Sequence, residues 1–501
     1  MRLLPAAIAT LSLLAPALLP AATPAPAVES SVVKVFSTVR NPDVTRPWTK
    51  QAPSDITGSG VVIDGKRILT NAHVVLYASQ VQVQANLAGD KISARVEYIA
   101  PSIDLAVLRL DDESFFDTHP PLPRSNAIPA IKDTVLVYGF PVGGNSLSIT
   151  KGIVSRIEFA SYNYPVWGLR IQVDAAINHG NSGGPAAVDG KMIGLAFSGR
   201  TDAENIGYII PTEEIEFFLG QAASGAPYAK PAVYDDCQTL ENSALRPYLK
   251  LKATDTGTLV ENTDSPDPSY PLRKWDLISR IGDTPIDDQG MIHQGDLRLD
   301  FHYLVRKAAH KGKVSLEIVR DGRRMRLDVP VYTGRPLLEN WLEGEYPRYF
   351  IYGPLVFSPA TGDIAEAIIN TPGIVSPILL SRNPALTRRG EVPAFPGEEL
   401  VIVASPFLPN HLVDGYSNHQ ATVVSRVNGV PVRNLGQMVE VLRDATSEFV
   451  TFEFSGRGFE TLVFPRRKLL AATDDILSDN GIREQGSPEY MAIWNRHGTA
   501  K

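Results

Sequence analysis

Residues 173–185 read Val-Asp-Ala-Ala-Ile-Asn-His-Gly-Asn-Ser-Gly-Gly-Pro, and this stretch decides how the chain is interpreted. One serine, Ser182, lies among glycines, which adopt backbone angles that other residues avoid. A serine hydroxyl is a poor nucleophile near neutral pH, so it needs a neighbouring base and donors for the negative oxygen it creates. The loop Gly180, Asn181, Ser182 is the predicted oxyanion hole, with the amides of Gly180 and Ser182 as donors. A polar hairpin turn is the alternative, and the search for a base decides between them.

A candidate base and a candidate carboxylate precede this serine in the chain. His73 follows the predicted strand Arg67–Thr70, in the run Thr-Asn-Ala-His-Val-Val. Asp104 opens the apolar run Asp-Leu-Ala-Val-Leu, where an unpaired carboxylate would be costly to bury. We predict that Asp104 orients the imidazole of His73 and that His73 takes the proton of Ser182. Taken singly, the histidine also fits an ordinary core or surface residue, and the aspartate an ordinary turn residue.

Short β-branched runs separated by turn residues surround these motifs, and the segment 40–57 is polar and typical of a surface loop. Many short strands without a long helix favour a β-sandwich or a β-barrel. In addition to the strand Arg67–Thr70, the runs predict strands at Val32–Phe36, Gly60–Ile63 and Val81–Ala85.

Together the three motifs resemble those of the HtrA/Deg family of trypsin-like serine proteases. They are the runs at 70–75, 104–108 and 180–185, in the order His, Asp, Ser. The resemblance implies a mostly β chain that begins with a chymotrypsin-like protease of two six-stranded β-barrels, with the site between them. It also implies the triad roles of His73, Asp104 and Ser182, with no metal and no cofactor. The asparagine before Ser182 favours the HtrA branch, whereas His179 departs from the proline that many members of the family have there.

The strand before the nucleophile predicts the substrate pocket. Ala176 occupies the position at which trypsin-like digestive enzymes carry the aspartate that binds Lys or Arg. Together with Leu195, Ala196 and Phe197, it predicts an apolar pocket and cleavage after small aliphatic residues. Such a pocket discriminates by only about 1–3 kcal/mol per methylene, so selection is expected to depend on which unfolded segments can reach it.

An internal repeat follows a Gly/Ala/Pro-rich linker at 220–231. Ser279–Ile286 recurs as Ser425–Val432, each copy reading as a strand, a turn and the start of a strand. Each copy is followed by a helical pattern and two further strands, which predicts two related α+β modules. They resemble the permuted PDZ domains of HtrA/Deg proteases. The apolar positions of the two helical patterns are Phe301, Leu304, Val305 and Ala308 in the first module and Leu435, Met438, Val439 and Leu442 in the second.

The first module is predicted to bind peptide C-termini. Gly257, Thr258, Leu259 and Val260 resemble a carboxylate-binding loop, beside which a peptide would add a strand next to the helix at 301–310. An ordinary turn into a strand is the alternative.

The second module is predicted not to bind C-termini, because Pro354 removes an N–H donor from the equivalent loop, and its resemblance to the second PDZ domain of plant-type Deg proteases implies a role in assembly. Its insertion at 370–420 contains apolar runs at 400–403 and 406–408, predicted to cover a neighbour's surface. This region and the segment 468–480 resemble the plant-type Deg proteases.

The composition of the chain indicates its broad class of protein, and changes along the sequence give the predicted domain boundaries. The chain has 501 residues, 44% hydrophobic and 21% charged, with a net charge of −7, which fits a globular protein and excludes a nucleic-acid surface as its main feature. Its start predicts a secretory signal, with a membrane anchor as the alternative. Since Cys237 is the only cysteine, an exported chain would lack internal disulfides. The predicted division is signal 1–27, protease 28–222, first PDZ domain 223–335, second PDZ domain 336–470 and C-terminal tail 471–501.

The sequence therefore predicts an ATP-independent serine endopeptidase that degrades misfolded or unfolded polypeptides through an acyl-enzyme. We expect a periplasmic protein if the source is a Gram-negative bacterium, and a homo-oligomer built from trimers. Two alternatives stay open: a non-catalytic chaperone or scaffold, and a regulatory protease that cleaves one signalling substrate.

Overall fold

The computed structural model describes residues 28–87, 89–144, 146–178, 180–197, 206–265, 267–371 and 375–496. The predicted signal at 1–27 and His179 lie outside these ranges. In the described part of the chain, no helix is both long and apolar enough to cross a membrane.

The first barrel is closed by six antiparallel strands in the order β1-β2-β3-β6-β5-β4. Strand β4 and most of β5 alternate between more and less buried residues, as expected of a barrel wall, whereas β3 and β6 are buried along most of their length. Its strands are β1 Val32–Val39, β2 Ser54–Ile63, β3 Arg67–Thr70, β4 Ala78–Ala85, β5 Ile92–Ala100 and β6 Leu105–Leu110. The four predicted strands of this region are confirmed.

The second barrel is also closed and six-stranded, in the order β10-β11-β12-β9-β8-β7. The expectation of two six-stranded barrels in a mostly β chain is thus confirmed. Its strands are β7 Thr134–Gly139, β8 Ser148–Ser161, β9 Trp167–Val173, β10 Pro185–Val188, β11 Lys191–Phe197 and β12 Gly207–Pro211.

Two helices complete the protease region. The short α1 Ala72–Val75 follows β3, and α2 Thr212–Ser224 follows β12. Helix α2 ends at Ser224, which is two residues past the predicted end of the protease domain at 222 and lies within the predicted linker 220–231. Lys230, also in that linker, is buried and its ammonium lies 2.6 Å from a carboxylate oxygen of Glu214. The connection to the next module is therefore fixed to the second barrel.

The first module contains a sheet in the order β14-β15-β16-β20-β21, with β17 paired to β16. The predicted helix at 301–310 is shorter, a 3-10 turn at Phe301–Leu304 followed by α4. The elements of the module are β13 Pro231–Ala232, β14 Asp236–Thr239, α3 Leu245–Tyr248, β15 Thr258–Asn262, β16 Leu277–Ile281, β17 Thr284–Pro285, β18 Met291–Gln294, β19 Leu297–Asp300, α4 Val305–Ala308, β20 Lys313–Arg320, β21 Arg323–Pro330 and β22 Tyr332–Thr333.

The second module repeats the strand-turn-strand unit, with β26 paired to β27 as β16 is to β17. Its predicted helix is confirmed as α8, which buries all four predicted apolar positions. The elements are β23 Phe350–Tyr352, β24 Leu355–Pro359, α5 Gly362–Ile369, α6 Val375–Leu380, α7 Pro384–Thr387, β25 Val401–Val403, β26 Val424–Val427, β27 Val430–Pro431, α8 Leu435–Arg443, β28 Phe449–Phe454, β29 Leu462–Pro465, α9 Arg466–Asp479 and α10 Pro488–Trp494.

Two expectations for this module need correction or refinement. The apolar run 400–403 does not cover a neighbour, because it is buried inside the module's own sheet, where residues 401–403 form β25. Leu408, from the second apolar run, is buried as well. Residues 471–496, which were predicted as a tail, are an integral part of the module. Helix α9 packs on the β23–β24 turn and α10 packs on α8.

The loop between β1 and β2 joins the first barrel to the second module. Val44 and Trp48 pack against two hydrophobic clusters of that module. The hydroxyl of Tyr346 donates a hydrogen bond of 2.9 Å to the carbonyl of Arg40. The ammonium of Lys50 lies 4.0 Å from the Tyr346 ring centroid. The barrel and the last module therefore bury part of this loop between them.

Candidate active site

His73 and Asp104 lie side by side at the end of the first barrel. His73 Nδ1 is 2.8 Å from Asp104 Oδ2 and 3.0 Å from Oδ1. The backbone N–H of His73 also donates to Asp104 Oδ1, at 2.9 Å. Asp104 has a positive φ of 58° at the end of a 3-10 turn, and the side-chain amide of Asn71 donates to its carbonyl at 2.9 Å. One carboxylate thus fixes both the ring and the backbone of the histidine.

This pairing changes the basicity of His73. Burial alone would lower the pKa of His73, but the charge of Asp104 and its hydrogen bond outweigh burial, so the pKa is raised above 6.5. Because Nδ1 faces the carboxylate, it carries the proton in the neutral ring and Nε2 is left as the basic nitrogen. The pair has the geometry of a base and its orienting group.

The nucleophile loop packs directly on the first barrel. The N–H of Ser59 in β2 donates to the carbonyl of Ser182 at 2.8 Å. At Gly58, an added Cβ would lie 2.8 Å from the side chain of Val74, next to His73, and 3.3 Å from the carbonyl oxygen of Ser182. The absence of a side chain there lets the helix that carries His73 and the loop that carries Ser182 approach each other.

Ser59 also holds the loop by its side chain. Its hydroxyl donates to the carbonyl of Gly180 at 2.8 Å and accepts from the N–H of Phe140 at 2.8 Å. Ser59 has no exposed surface. Sequence reasoning gave Ser59 no role; the signal for it was a small polar residue at a buried position of a strand.

The oxyanion loop has two glycines with positive φ, Gly180 at 100° and Gly183 at 86°. Within the described residues, the N–H of Gly180 donates to no backbone carbonyl, so it is available to a substrate oxygen. Asn181, the middle residue of the predicted loop, has a buried side chain, and its N–H donates to the carbonyl of Asn178 at 3.0 Å. Its amide is therefore not a donor of the hole.

The predicted pocket residues divide into two groups. Ala176 is exposed, and Phe197 is partly exposed and lies in stacking distance of Tyr162, with 5.7 Å between ring centroids. Leu195 and Ala196 have no exposed surface and pack in the hydrophobic cores. Neither lines an open pocket, which corrects the prediction for these two positions.

The predicted peptide site in the first module is also corrected. Thr258, Leu259 and Val260 lie in β15, which is paired on one side with β14 and on the other with β16. With both edges occupied, β15 cannot accept a peptide strand, and Gly257 packs against the backbone of β16. The sheet ends at β14 on one side and at β21 on the other, and Asp236 of β14 lines the same cavity as the 301–308 helical segment.

Comparison with known proteins agrees with this architecture. Residues 58–195 match the trypsin-like peptidase domain family, and residues 340–489 match a PDZ domain family. Protease Do-like 4, mitochondrial, of Arabidopsis thaliana is 35% identical over 466 residues, covering 92% of this chain and 86% of that protein. The chain belongs to the Deg/HtrA family of serine proteases.

Further relatives of this Deg/HtrA protease include Protease Do-like 2, chloroplastic, of Arabidopsis thaliana, which is 34% identical over 470 residues, 92% of this chain and 75% of that protein. Among solved structures, the HtrA-type protease AlgW with decapeptide is 23% identical with a TM-score of 0.47, covering 62% of this chain and 97% of that one. The chain is a serine endopeptidase by family, and PDZ domains in such proteases bind peptides.

Proposed function

We propose that this Deg/HtrA protease is an ATP-independent endopeptidase that cleaves unfolded polypeptides, with Ser182 as nucleophile. The observation that carries the proposal is the His73–Asp104 pair beside a nucleophile loop fixed to the same barrel by Ser59. A scaffold without catalysis would have no need of this arrangement.

The proposed mechanism assigns each of these residues a role. His73 Nε2 takes the proton of the Ser182 hydroxyl as the oxygen attacks the scissile carbonyl. Asp104, on Nδ1, stabilises the imidazolium that forms. The amides of Gly180 and Ser182 receive the oxyanion. His73 then gives the proton to the leaving amine, and water hydrolyses the acyl-enzyme by the same route in reverse.

Cleavage after small aliphatic residues is part of the proposal. Ala176 brings no charge to the position that recognises basic side chains in digestive enzymes, and Phe197 adds an apolar wall. A polypeptide has to lie extended across the cleft between the barrels, so folded proteins are poor substrates.

The test is degradation of reduced casein by the purified protein beside Ser182→Ala, with product ends read by mass spectrometry. We expect cleavage after Val, Ala or Ile that is lost in Ser182→Ala and kept in Ser155→Ala, an exposed serine of the second barrel. Equal cleavage by Ser182→Ala would refute the assignment. No cleavage by any form, with native and unfolded substrates alike, would favour the scaffold alternative.

We also propose that the protein is exported to the periplasm and forms trimers or multiples of trimers. Support for export is the composition of residues 1–27, and support for assembly is the family. Cell fractionation and light scattering coupled to gel filtration test these two points. A cytoplasmic full-length protein, or a monomer at micromolar concentration, would contradict them.

A further inference from the structure

A cavity of about 550 Å³ lies where the protease and both PDZ modules meet. We call it the junction cavity; its walls include Tyr164 from the protease, Asp236 and Arg335 from the first module, and Glu339, Trp341 and Arg389 from the second. It shares Tyr164, Asp236 and Arg335 with a neighbouring cavity of about 210 Å³, which lies between the protease and the 301–308 helical segment. The two form one cleft that passes the open edge of β14.

Glu339 is a buried carboxylate without a partner. It is 3% exposed, and neither carboxylate oxygen accepts a hydrogen bond within the described residues. Burial raises the pKa of Glu339 to about 8, although the charges of Arg389 and Arg388 act in the opposite direction. Neither arginine reaches it with a hydrogen bond, because Arg388 pairs with Glu391 and Glu398 and Arg389 lies over the Trp341 ring. A cation brought to Glu339 would supply what it lacks.

The acids at the other end of the cleft are also uncompensated. Asp236 is exposed and has no basic group within 4 Å among the described residues. Asp235 is buried and accepts only from neutral donors, the hydroxyl of Tyr270 at 2.7 Å and the backbone N–H of Asp264 at 3.2 Å.

The cations of the cleft, in contrast, are mostly engaged. Arg335 lies 2.7 Å from Asp264, Lys230 lies 2.6 Å from Glu214, and Arg306 lies 2.8 Å from Glu213. The unpaired charge along the β14 edge is therefore negative. This surface repels the C-terminal carboxylate of a peptide and attracts a cation.

We propose that the junction cavity binds an arginine or lysine side chain of an extended polypeptide whose backbone adds to the open edge of β14. The backbone pairing is the usual strand addition of PDZ domains, whereas the selected group is an internal basic side chain. Tyr164 supplies aromatic surface on which an alkyl stem or a guanidinium can pack, whereas the Trp341 ring already carries Arg389. This site is distinct from the protease cleft, so its occupation can be measured without catalysis.

The experiment measures binding to the full-length Ser182→Ala protein by fluorescence anisotropy. The probe is a labelled ten-residue Val/Ala/Gly peptide with one central arginine and an amidated C-terminus. Its two comparison peptides replace the arginine by glutamine, one amidated and one with a free C-terminal carboxylate. We expect the arginine peptide to bind at least tenfold more tightly than both, and free arginine amide to compete only at far higher concentration.

Glu339→Gln tests the cavity itself, since it keeps the shape of the side chain but cannot ionise when a cation binds. We expect at least tenfold weaker binding of the arginine peptide, with no change for the glutamine peptides. The matched control is Glu366→Gln, an exposed carboxylate of helix α5 that is not among the residues lining the junction cavity. Thermal unfolding of each variant establishes that it is folded. Equal binding of the arginine and glutamine peptides, tighter binding of the free carboxylate peptide, or an unaltered affinity in Glu339→Gln would each overturn the proposal.

Discussion

Replacing Ser59 by alanine separates the positioning of the oxyanion loop from the chemistry of the triad. The substitution removes the hydroxyl that links Gly180 to Phe140, two hydrogen bonds of 2.8 Å each. It leaves a buried carbonyl and a buried N–H without partners, at about 1–3 kcal/mol each. We expect the free energy of unfolding to fall by about 2–6 kcal/mol.

The larger effect is expected on catalysis. Without the Ser59 hydroxyl, the peptide plane after Gly180 keeps only the hydrogen bond from the Asn181 N–H to Asn178, and we expect the oxyanion donors to lose their alignment. Loss of one such donor costs about 10²–10³ in kcat. We therefore expect kcat to fall about 100-fold with KM nearly unchanged, because the hydroxyl does not touch the substrate.

Initial rates on a fluorogenic peptide and single-turnover acylation by a fluorophosphonate measure the fall in kcat. Urea unfolding measures the loss of stability. The matched control is Ser37→Ala, because Ser37 is a buried serine of the same barrel whose hydroxyl has no hydrogen-bond partner among the described residues. A Ser59→Ala protein that loses stability but keeps the kcat of the parent would show that the hydroxyl only stabilises the fold.

Three further predictions rest on other contacts. Since His73 has to be neutral to act as a base, kcat/KM should rise with pH through a midpoint above 6.5. Asp104→Asn should lower both that midpoint and the rate. A midpoint that Asp104→Asn leaves unaffected would contradict the pairing of His73 with Asp104. The same raised pKa means that protonated His73 stabilises the folded state at low pH, and this contribution is lost as pH rises through that pKa. Gly183→Ala should inactivate the enzyme, because its Cβ would lie 2.1 Å from a backbone oxygen of Ser59 at a φ of 86°; full activity with peptide substrates would show that the loop can adjust. Glu214→Gln should cost about 3–5 kcal/mol in urea unfolding by leaving the buried ammonium of Lys230 without its ion-pair partner, and an unchanged midpoint would count against this.

Much of the catalytic site was predictable because its signals are local. A carboxylate at the start of a buried strand needs a partner, and His73 was the residue placed to provide one. The repeated strand-turn-strand unit likewise predicted two similar modules, since its strand pairing is contained within a few residues. Ser59 was harder to predict, because its hydroxyl acts across 121 positions of sequence on Gly180.

The wrong predictions concern properties that depend on distant pairing. Whether β15 or β14 is the edge of a sheet depends on which segments lie beside it, and both strands are short and partly apolar. The direction of the Leu195 and Ala196 side chains depends on the register of β11, which shifts against β10. Glu339 has no distinguishing neighbours in the sequence; its isolation arises only where three modules meet.

The contact between the β1–β2 loop and the second module has a thermodynamic consequence. Trp48 and Val44 are shielded by a part of the chain about 300 residues away, and Tyr346 is shielded by the barrel. Melting either partner exposes the apolar surface of the other, so their heat absorption peaks should merge in calorimetry. Removing the second module should abolish this cooperative unfolding. We expect the remaining barrel to unfold at a lower temperature and to aggregate through the exposed side chain of Trp48.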